Sequence, residues 1–217
     1  MLVLALTTTF AAFDWVMSLD YHWYSNMFGV YFWAGSILGS LAAVTLLALG
    51  ARRFCGLGEV ITLEHLHDLG KLLFGFTVFW AYIAFSQYFL IWYAAIPEVT
   101  TWYALRMQGS WRFVSALLLI CHFVVPFVAL LPRAPKRSPL LLGLVALWLL
   151  GFHGLDLYWQ VMPTLHPEEV ALHWLDLVSW LLVVALACGT IAQVASRKPL
   201  IPQGDPDLTA SIQFENE

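Results

Sequence analysis

Charged residues are scarce in this sequence, and their scarcity excludes a water-soluble fold. Asp, Glu, Lys and Arg together make up 11% of the 217 residues, and apolar residues make up 61%. A soluble domain carries about a quarter charged residues, and the mean hydropathy here is +0.77. The chain is therefore expected to be an integral membrane protein with the lipid bilayer as a partner. The sequence also lacks the basic face that nucleic-acid binding requires.

Cysteine is equally rare, and its spacing excludes several kinds of redox centre. Cys55, Cys121 and Cys188 lie far apart, with no CxxC or CxxCH pattern. Iron–sulfur clusters, structural zinc and covalently attached haem all need closer spacing. We therefore expect no covalently bound cofactor and no metal site.

The sequence is rich in long, continuous apolar runs. A membrane barrel would instead show short segments in which apolar and polar residues alternate. The fold class predicted is an all-α integral membrane protein, a polytopic helical bundle of about six transmembrane helices. Apolar runs and breaker residues place the spans at 1–16, 28–50, 68–95, 112–131, 140–162 and 173–195. The first span is short, about 24 Å, and lacks the positive n-region of a signal peptide.

Prolines and charges set the predicted limits of the domain. Pro97, Pro132, Pro139 and Pro163 fall at or just beyond the ends of spans, where helices tolerate them. Residues 1–198 are expected to form the transmembrane domain. Residues 199–217 are expected to form a disordered acidic tail with the carboxylates Asp205, Asp207, Glu215 and Glu217.

The basic residues predict the orientation of the spans. Eight of the ten Lys and Arg residues lie on one side of the membrane, and only Arg106 and Arg112 lie on the other. The positive-inside rule makes the eight-charge side cytoplasmic. Both chain ends are then cytoplasmic, and the connections 14–27, 97–111 and 163–172 face outward.

Two histidines and an aspartate within the spans are candidates for function, because ionisable groups at membrane depth are costly. His122 and His153 come from consecutive antiparallel spans and lie about 15 Å below the outer surface. That placement suits a proton relay, a quinone-headgroup site or a pair of axial haem ligands. Asp156 follows His153 at i+3 on the same helix face. Alternatively, each histidine is neutral and hydrogen-bonded to a neighbouring helix, since Pro126 leaves the His122 carbonyl without a helical partner.

The third span carries polar or small residues along one helix face. Lys71, Gly75, Val78, Tyr82, Ser86 and Tyr93 recur there at helical spacing. At its cytoplasmic end, His67, Asp68 and Lys71 are candidates for proton uptake, although Asp68 and Lys71 at i,i+3 also suit a simple ion pair.

On the outside, Asp14, Asp20 and His22 lie among aromatic residues, as part of a lid, a partner-binding loop or a plain helix cap.

Four long phrases resemble one family. They are FDWVMSLDYHWYSNMFGVYFWAG, HDLGKLLFGFTVFWAYIAFSQYFLIWYAAIPE, CHFVVPFVALLPR and DLYWQVMP, in this order and spacing. Together they resemble the second quinone-binding, NrfD-like membrane subunit of alternative complex III, a bacterial quinol:cytochrome c oxidoreductase. The resemblance covers most of residues 10–195. Members of that family carry further helices before the first phrase, so this chain is expected to be an N-terminally shortened form.

The resemblance implies a subunit of the bacterial inner membrane that has no redox centre of its own. Its implied partners are a sister NrfD-like subunit, an iron–sulfur subunit and multihaem cytochrome c subunits, and its implied substrate is quinone or quinol. By position, His153, Asp156, Tyr158 and Trp159 match the family's motif before the Met-Pro turn. Tyr82, Ser86 and Gln87 match the motif of the third span.

Four functions stay open from the residues. The first is contact with quinone, or proton relay, in a quinol-oxidising complex. The second is a purely structural anchor, because polar residues also hold membrane helices together. The third is a haem b subunit that uses His122 and His153, and the fourth is a transporter that acts alone.

Overall fold

The protein is an all-α bundle of long apolar helices. It is described by a computed structural model of residues 2–201 and 204–214, and among these residues all regular structure is helical. The prediction of an all-α fold is confirmed. Residues up to Val170 form one compact unit, and the residues from Ala171 onward form a second.

The helices of the first unit follow the predicted spans closely. In chain order they are α1 (Leu2–Trp15), α2 (Asn26–Phe54), α3 (Leu63–Ala94), α4 (Pro97–Arg106), α5 (Trp111–Leu117), a π-helical segment (Leu118–Val124), α6 (Val125–Leu130), α7 (Arg133–Arg137) and α8 (Pro139–Leu165). A short 3₁₀ turn, Met17–Leu19, follows α1. The second unit holds α9 (Trp174–Arg197) and α10 (Leu208–Ile212).

Six helices of the described chain are long and apolar enough to cross a membrane, as predicted. The spans begin and end within a few residues of the predicted bounds, apart from α3, which begins five residues earlier. There Thr62 caps the helix, and its backbone N–H donates to His65 Nδ1 at 3.1 Å. A cap of this kind fixes a helix start that hydropathy alone places too late.

The fifth span ends three residues later than predicted. Instead of stopping before Pro163, α8 runs through this proline to Leu165. A proline inside a helix leaves the carbonyl four residues earlier without its backbone donor, and here that carbonyl belongs to Trp159. Arg106 Nε donates to it at 3.2 Å, so a side chain from α4 replaces the missing N–H.

The fourth span is interrupted by the π-helical segment Leu118–Val124. In a π register, Pro126 leaves free the carbonyl five residues earlier, at Cys121, rather than the His122 carbonyl expected from an α register. Trp148 of α8 donates its indole N–H to the Cys121 carbonyl at 2.7 Å. The expectation about His122 was therefore off by one residue, because the helix is wider at this point.

Helix α2 lies at the centre of the first unit, where it contacts α1, α3 and α8. In the middle of α2 the buried residues are mostly small, namely Ala34, Gly35, Gly39 and Ala42. A Cβ atom at Gly39 would lie 2.6 Å from Cδ2 of His153, so only glycine allows α8 this close. Small residues at such crossings let membrane helices approach, because there is little hydrophobic drive between them in lipid.

The tail differs in part from its prediction. Leu208–Ile212 forms the short helix α10 within the stretch expected to be disordered. Asp205 and Asp207 precede that helix, and the Asp207 backbone N–H donates to Asp205 Oδ1 at 3.0 Å. Glu215 and Glu217 lie outside the described residues, as does Met1 of the first predicted span.

Candidate functional site

Asp156 is the centre of a buried polar cluster between α2 and α8. Its side chain is 1% exposed. The Tyr31 hydroxyl donates to Asp156 Oδ1 in a short hydrogen bond, and Gln160 Nε2 donates to Oδ2 at 3.2 Å. The indole N–H of Trp80 faces the same carboxyl, without an ordinary hydrogen-bond geometry. A buried carboxyl is costly unless it is hydrogen-bonded or protonated. Here helices α2, α3 and α8 each place a hydrogen-bond donor beside it.

Arg106 joins helix α4 to the end of α8 that carries this cluster. It is fully buried and donates to three backbone carbonyls, at Trp159 (3.2 Å), Gln160 (2.6 Å) and Trp102 (2.8 Å). The guanidinium carbon also lies 3.4 Å from the ring centre of Trp102. Burial lowers the pKa of Arg106 to about 9, so the group stays cationic at neutral pH. The arginine thus fixes the backbone one turn beyond Asp156.

A second hydrogen-bond chain fixes the Trp159 side chain. Its indole N–H donates to Ser115 Oγ at 2.8 Å, and Ser115 Oγ lies 2.7 Å from the Arg106 carbonyl, to which it donates. These hydrogen bonds run from α8 through Ser115 of α5 to Arg106 of α4. The indole ring therefore has one defined orientation.

These groups border a cavity of about 500 Å³ at the α4 end of the bundle. Asp156, Arg112, Tyr31 and Ser115 are polar groups of its wall, and most of the remaining wall is apolar or aromatic. That remaining wall includes Trp80, Phe85, Tyr88, Tyr103, Met107, Phe123 and Trp159. An apolar cavity of this size with a few polar groups is typical of a site for a small organic molecule.

His122 and His153, predicted to lie at equal depth, are close together beside this cluster. Their ring centres are 6.3 Å apart. His122 is buried with its ring 4.3 Å from that of Trp80, and His153 packs on Gly35 and Gly39. Neither histidine lines the cavity.

Their surroundings bear on two of the open functions. The nitrogens of His122 make no hydrogen bond of ordinary geometry within the described chain, and the backbone group that faces them is that of Phe152. The alternative prediction, that the His122 ring is hydrogen-bonded to a neighbouring helix, is therefore supported only by this approach of Phe152. A haem between the two imidazoles would need an open space bounded by both rings, whereas the cavity is bounded by neither.

The other residues of the two matched motifs lie in different surroundings. Trp159 lines the cavity, and Tyr158 packs against Trp111 with ring centres 5.8 Å apart. On α3, Tyr82 is 63% exposed, Ser86 is half-buried and Gln87 is 1% exposed. None of these three lines the cavity, although their neighbours Ala81, Ala84, Phe85 and Tyr88 do.

The predicted polar face of α3 is thus not the face that packs within this chain. Lys71, Gly75, Val78, Tyr82 and Tyr93 are exposed, and the buried side is formed instead by residues such as Leu73, Thr77 and Trp80. Among the described residues, no polar route is formed along this exposed row to Asp156. Polarity alone did not indicate the packed side, because apolar side chains face lipid and protein equally well.

At the other end of α3, the residues predicted for proton uptake form a simpler arrangement. Lys71 and Asp68 make the i,i+3 ion pair, at 2.6 Å on the surface. His67 is buried, and its Nδ1 has no hydrogen-bond partner among the described residues. Glu64 pairs with Arg137 at 2.8 Å, which joins α3 to α7. The cavity wall on α3 begins at Trp80, nine residues after Lys71.

The loop residues Asp14, Asp20 and His22 do not line the cavity. Asp14 and His22 are exposed, and His22 packs on Tyr21 with ring centres 4.0 Å apart. The Asp20 carbonyl accepts from the Trp23 N–H at 3.0 Å, which closes a turn. Trp23 then donates its indole N–H to the Val99 carbonyl at 3.0 Å, so the loop is fixed to α4.

Sequence reasoning missed several residues of the cavity and its supports. Tyr31, Trp80, Tyr103, Ser115 and Gln160 belong to this set, and so does the buried Arg106. One signal was available: Arg106 and Arg112 are the only basic residues on their side of the predicted topology. An arginine set apart from the basic cytoplasmic side was a candidate for a buried role.

Comparisons with known proteins add no family to this geometry: no family model and no curated protein matches the chain. In the described part of the chain, no three His, Cys, Asp or Glu side chains converge as metal ligands would. The strongest structural indication of function is therefore the cavity, with the buried carboxyl of Asp156 in its wall.

Proposed function

We propose that this chain is an integral membrane subunit of a quinol-oxidising electron-transfer complex, of the alternative complex III type. In this proposal the cavity holds the quinone headgroup, and Asp156 accepts protons from the quinol. The observation that carries the proposal is the buried carboxyl of Asp156 in the wall of an apolar, aromatic cavity, with Tyr31 and Gln160 hydrogen-bonded to it. The resemblance of the four sequence phrases supports the same class of complex.

The chemistry assigned to the site is proton transfer. Oxidation of one quinol to quinone releases two protons and two electrons. Asp156 takes the two protons from the quinol hydroxyls one after the other, as a positioned carboxylate can, and releases the first before it accepts the second. The electrons leave through the iron–sulfur and multihaem cytochrome c subunits that the proposal names as partners, beside a sister NrfD-like subunit.

The charge distribution gives this site an orientation. By the positive-inside rule the α4 end of the bundle faces outward. The proposal therefore places the chain in a bacterial inner membrane with a cytoplasmic C-terminus and the cavity in the outer half of the bilayer. Protons from quinol oxidation would then leave on the outer side.

Turnover of the assembled complex tests the role of Asp156. In membranes whose only copy of the subunit carries Asp156→Asn, electron transfer from a quinol without an isoprenoid chain, menadiol, to cytochrome c should fall about 100-fold. Asparagine keeps the size, and its Oδ1 can still accept from the Tyr31 hydroxyl. Its Nδ2 cannot accept from Gln160 Nε2, and the amide accepts no proton. Proton release per electron is measured in parallel, and immunoblotting of the partner subunits checks assembly.

A matched control is Glu59→Gln, which neutralises an exposed carboxylate in the loop between α2 and α3. It should leave turnover unchanged. Unchanged turnover and proton stoichiometry in the Asp156→Asn complex would contradict the proposed role of this site.

A second candidate function, a structural anchor for partner helices, is favoured by the exposed row on α3. Lys71, Gly75 and Tyr82 are exposed, and exposed small or polar residues can join a membrane helix to a partner helix. An anchor predicts that Asp156→Asn leaves turnover intact while Gly75→Leu on the exposed row lowers co-purification of the partner subunits. The two functions therefore give opposite results in the same assay.

A further inference from the structure

Two tyrosine hydroxyls at the cavity have no partner within the described chain. Tyr88 of α3 and Tyr103 of α4 both line the cavity, and their rings meet edge to face with centres 5.2 Å apart. Neither hydroxyl makes a hydrogen bond with any described residue, whereas the third phenol of the wall, Tyr31, donates to Asp156. A phenol in an apolar wall normally finds an acceptor.

Tyr103 is the better placed donor of the two. Burial raises the pKa of Tyr103, Arg106 lowers it in opposition, and Asp156 raises it further, so the phenol keeps its proton at neutral pH. These charge effects also show that Tyr103 lies within electrostatic reach of both Asp156 and Arg106. The ring is held in place because Arg106, three residues later on α4, is tied to the α8 carbonyls.

We propose that Tyr103 donates a hydrogen bond to the ligand opposite the Tyr31–Asp156 pair, and that the site takes a flat ring with an oxygen at each end. One oxygen faces the Tyr31–Asp156 pair, and the other accepts a hydrogen bond from Tyr103. This proposal rests on the proposed function and adds to it a residue that determines specificity. A ring without the second oxygen leaves the Tyr103 hydroxyl unpaired, and a site built to pair a polar group discriminates against ligands that lack its partner.

Binding to the purified full chain in detergent micelles tests this assignment, with isothermal titration calorimetry as the readout. The probe is 2-methyl-1,4-naphthoquinone, which has two para oxygens, and its matched control is 2-methylnaphthalene, which has none. Tyr103→Phe should weaken the naphthoquinone by about five- to tenfold, as expected for one lost hydrogen bond. The same variant should leave binding of 2-methylnaphthalene unchanged.

Tyr82→Phe is the control variant, since it removes a phenol from the exposed side of α3. It should change neither affinity. Equal weakening of both ligands by Tyr103→Phe would overturn the assignment, because the ring would then act only as an apolar wall. A larger effect from Tyr88→Phe than from Tyr103→Phe would overturn it as well.

The outcome also separates this inference from the function on which it rests. If the naphthoquinone binds to the unaltered chain and Tyr103→Phe has no effect, the quinone site stands and the role of Tyr103 is refuted. If the unaltered chain binds no naphthoquinone, both fail together.

Discussion

Replacing Arg106 with methionine should destabilise the bundle, and replacing Pro163 with alanine in the same chain should restore part of the loss. Arg106 Nε donates to the Trp159 carbonyl, the group that Pro163 leaves without a backbone donor. Alanine at 163 supplies the missing N–H. The two side chains are therefore coupled through one shared acceptor.

The magnitude follows from the contacts of Arg106. Its three hydrogen bonds to carbonyls each contribute about 1.5–3 kcal/mol, as bonds to charged groups do. Against this stands the cost of taking a guanidinium out of water, which is several kcal/mol. Methionine also keeps part of the packing against Trp102. We therefore expect Arg106→Met to lower the free energy of unfolding by about 2–4 kcal/mol.

The coupling energy between the substitutions at Arg106 and Pro163 is smaller than the effect of Arg106→Met, and it is the quantity that tests the reasoning. In the Arg106→Met chain, alanine at 163 re-forms one backbone hydrogen bond, which contributes about 1 kcal/mol. In the unaltered chain the Trp159 carbonyl already has a donor, so the new N–H gains little there. The double-mutant cycle should give a coupling energy of about 1 kcal/mol in the restoring direction.

The assay is unfolding of the purified chain by sodium dodecyl sulfate in mixed micelles, followed by far-ultraviolet circular dichroism. Pro126→Ala is the matched control, because the carbonyl freed by Pro126 is bound by Trp148 and not by Arg106. That substitution should be additive with Arg106→Met. If the Pro163 cycle is additive within about 0.5 kcal/mol as well, Arg106 does not replace the N–H of the proline, and the reasoning is refuted.

Two further predictions concern close contacts and charge. Gly39→Ala should cost about 1–3 kcal/mol, because the new Cβ would lie 2.6 Å from His153 Cδ2; Gly75→Ala meets nothing within 4 Å and should be neutral or slightly stabilising, and equal effects in thermal unfolding would contradict the packing of His153 on α2. Burial lowers the pKa of Lys136, with Arg133 and Lys71 adding to the effect. The unfolded chain therefore binds more protons than the folded chain between that lowered pKa and 10.5, so stability should rise with pH across this window. Lys136→Met should remove that rise in unfolding curves measured at increasing pH, and an identical pH dependence in the two chains would exclude Lys136 as its source.

Some of the site could be predicted from local spacing. The equal depth predicted for His122 and His153 follows from counting residues along two antiparallel helices, and their ring centres lie 6.3 Å apart. Asp156 at i+3 from His153 was expected to share a helix face with it. Its bonds with Tyr31 and Gln160 were not predicted, because Tyr31 is 125 residues away in the chain and nothing local indicates the pairing.

What the sequence by itself determined is the membrane class, the six spans and their approximate ends. These follow from composition and run length, since about 20 apolar residues are needed to cross the hydrocarbon layer. What only the tertiary structure decided is which side of each helix is buried. In water, an apolar stripe marks the packed side of a helix. In lipid, the outer side is apolar too, so the exposed row of α3 at Tyr82 and the cavity wall at Tyr88 could be told apart only by the neighbours that each one meets. Arg106 shows the same limit, because its partners are carbonyls that become free only when α8 continues through Pro163.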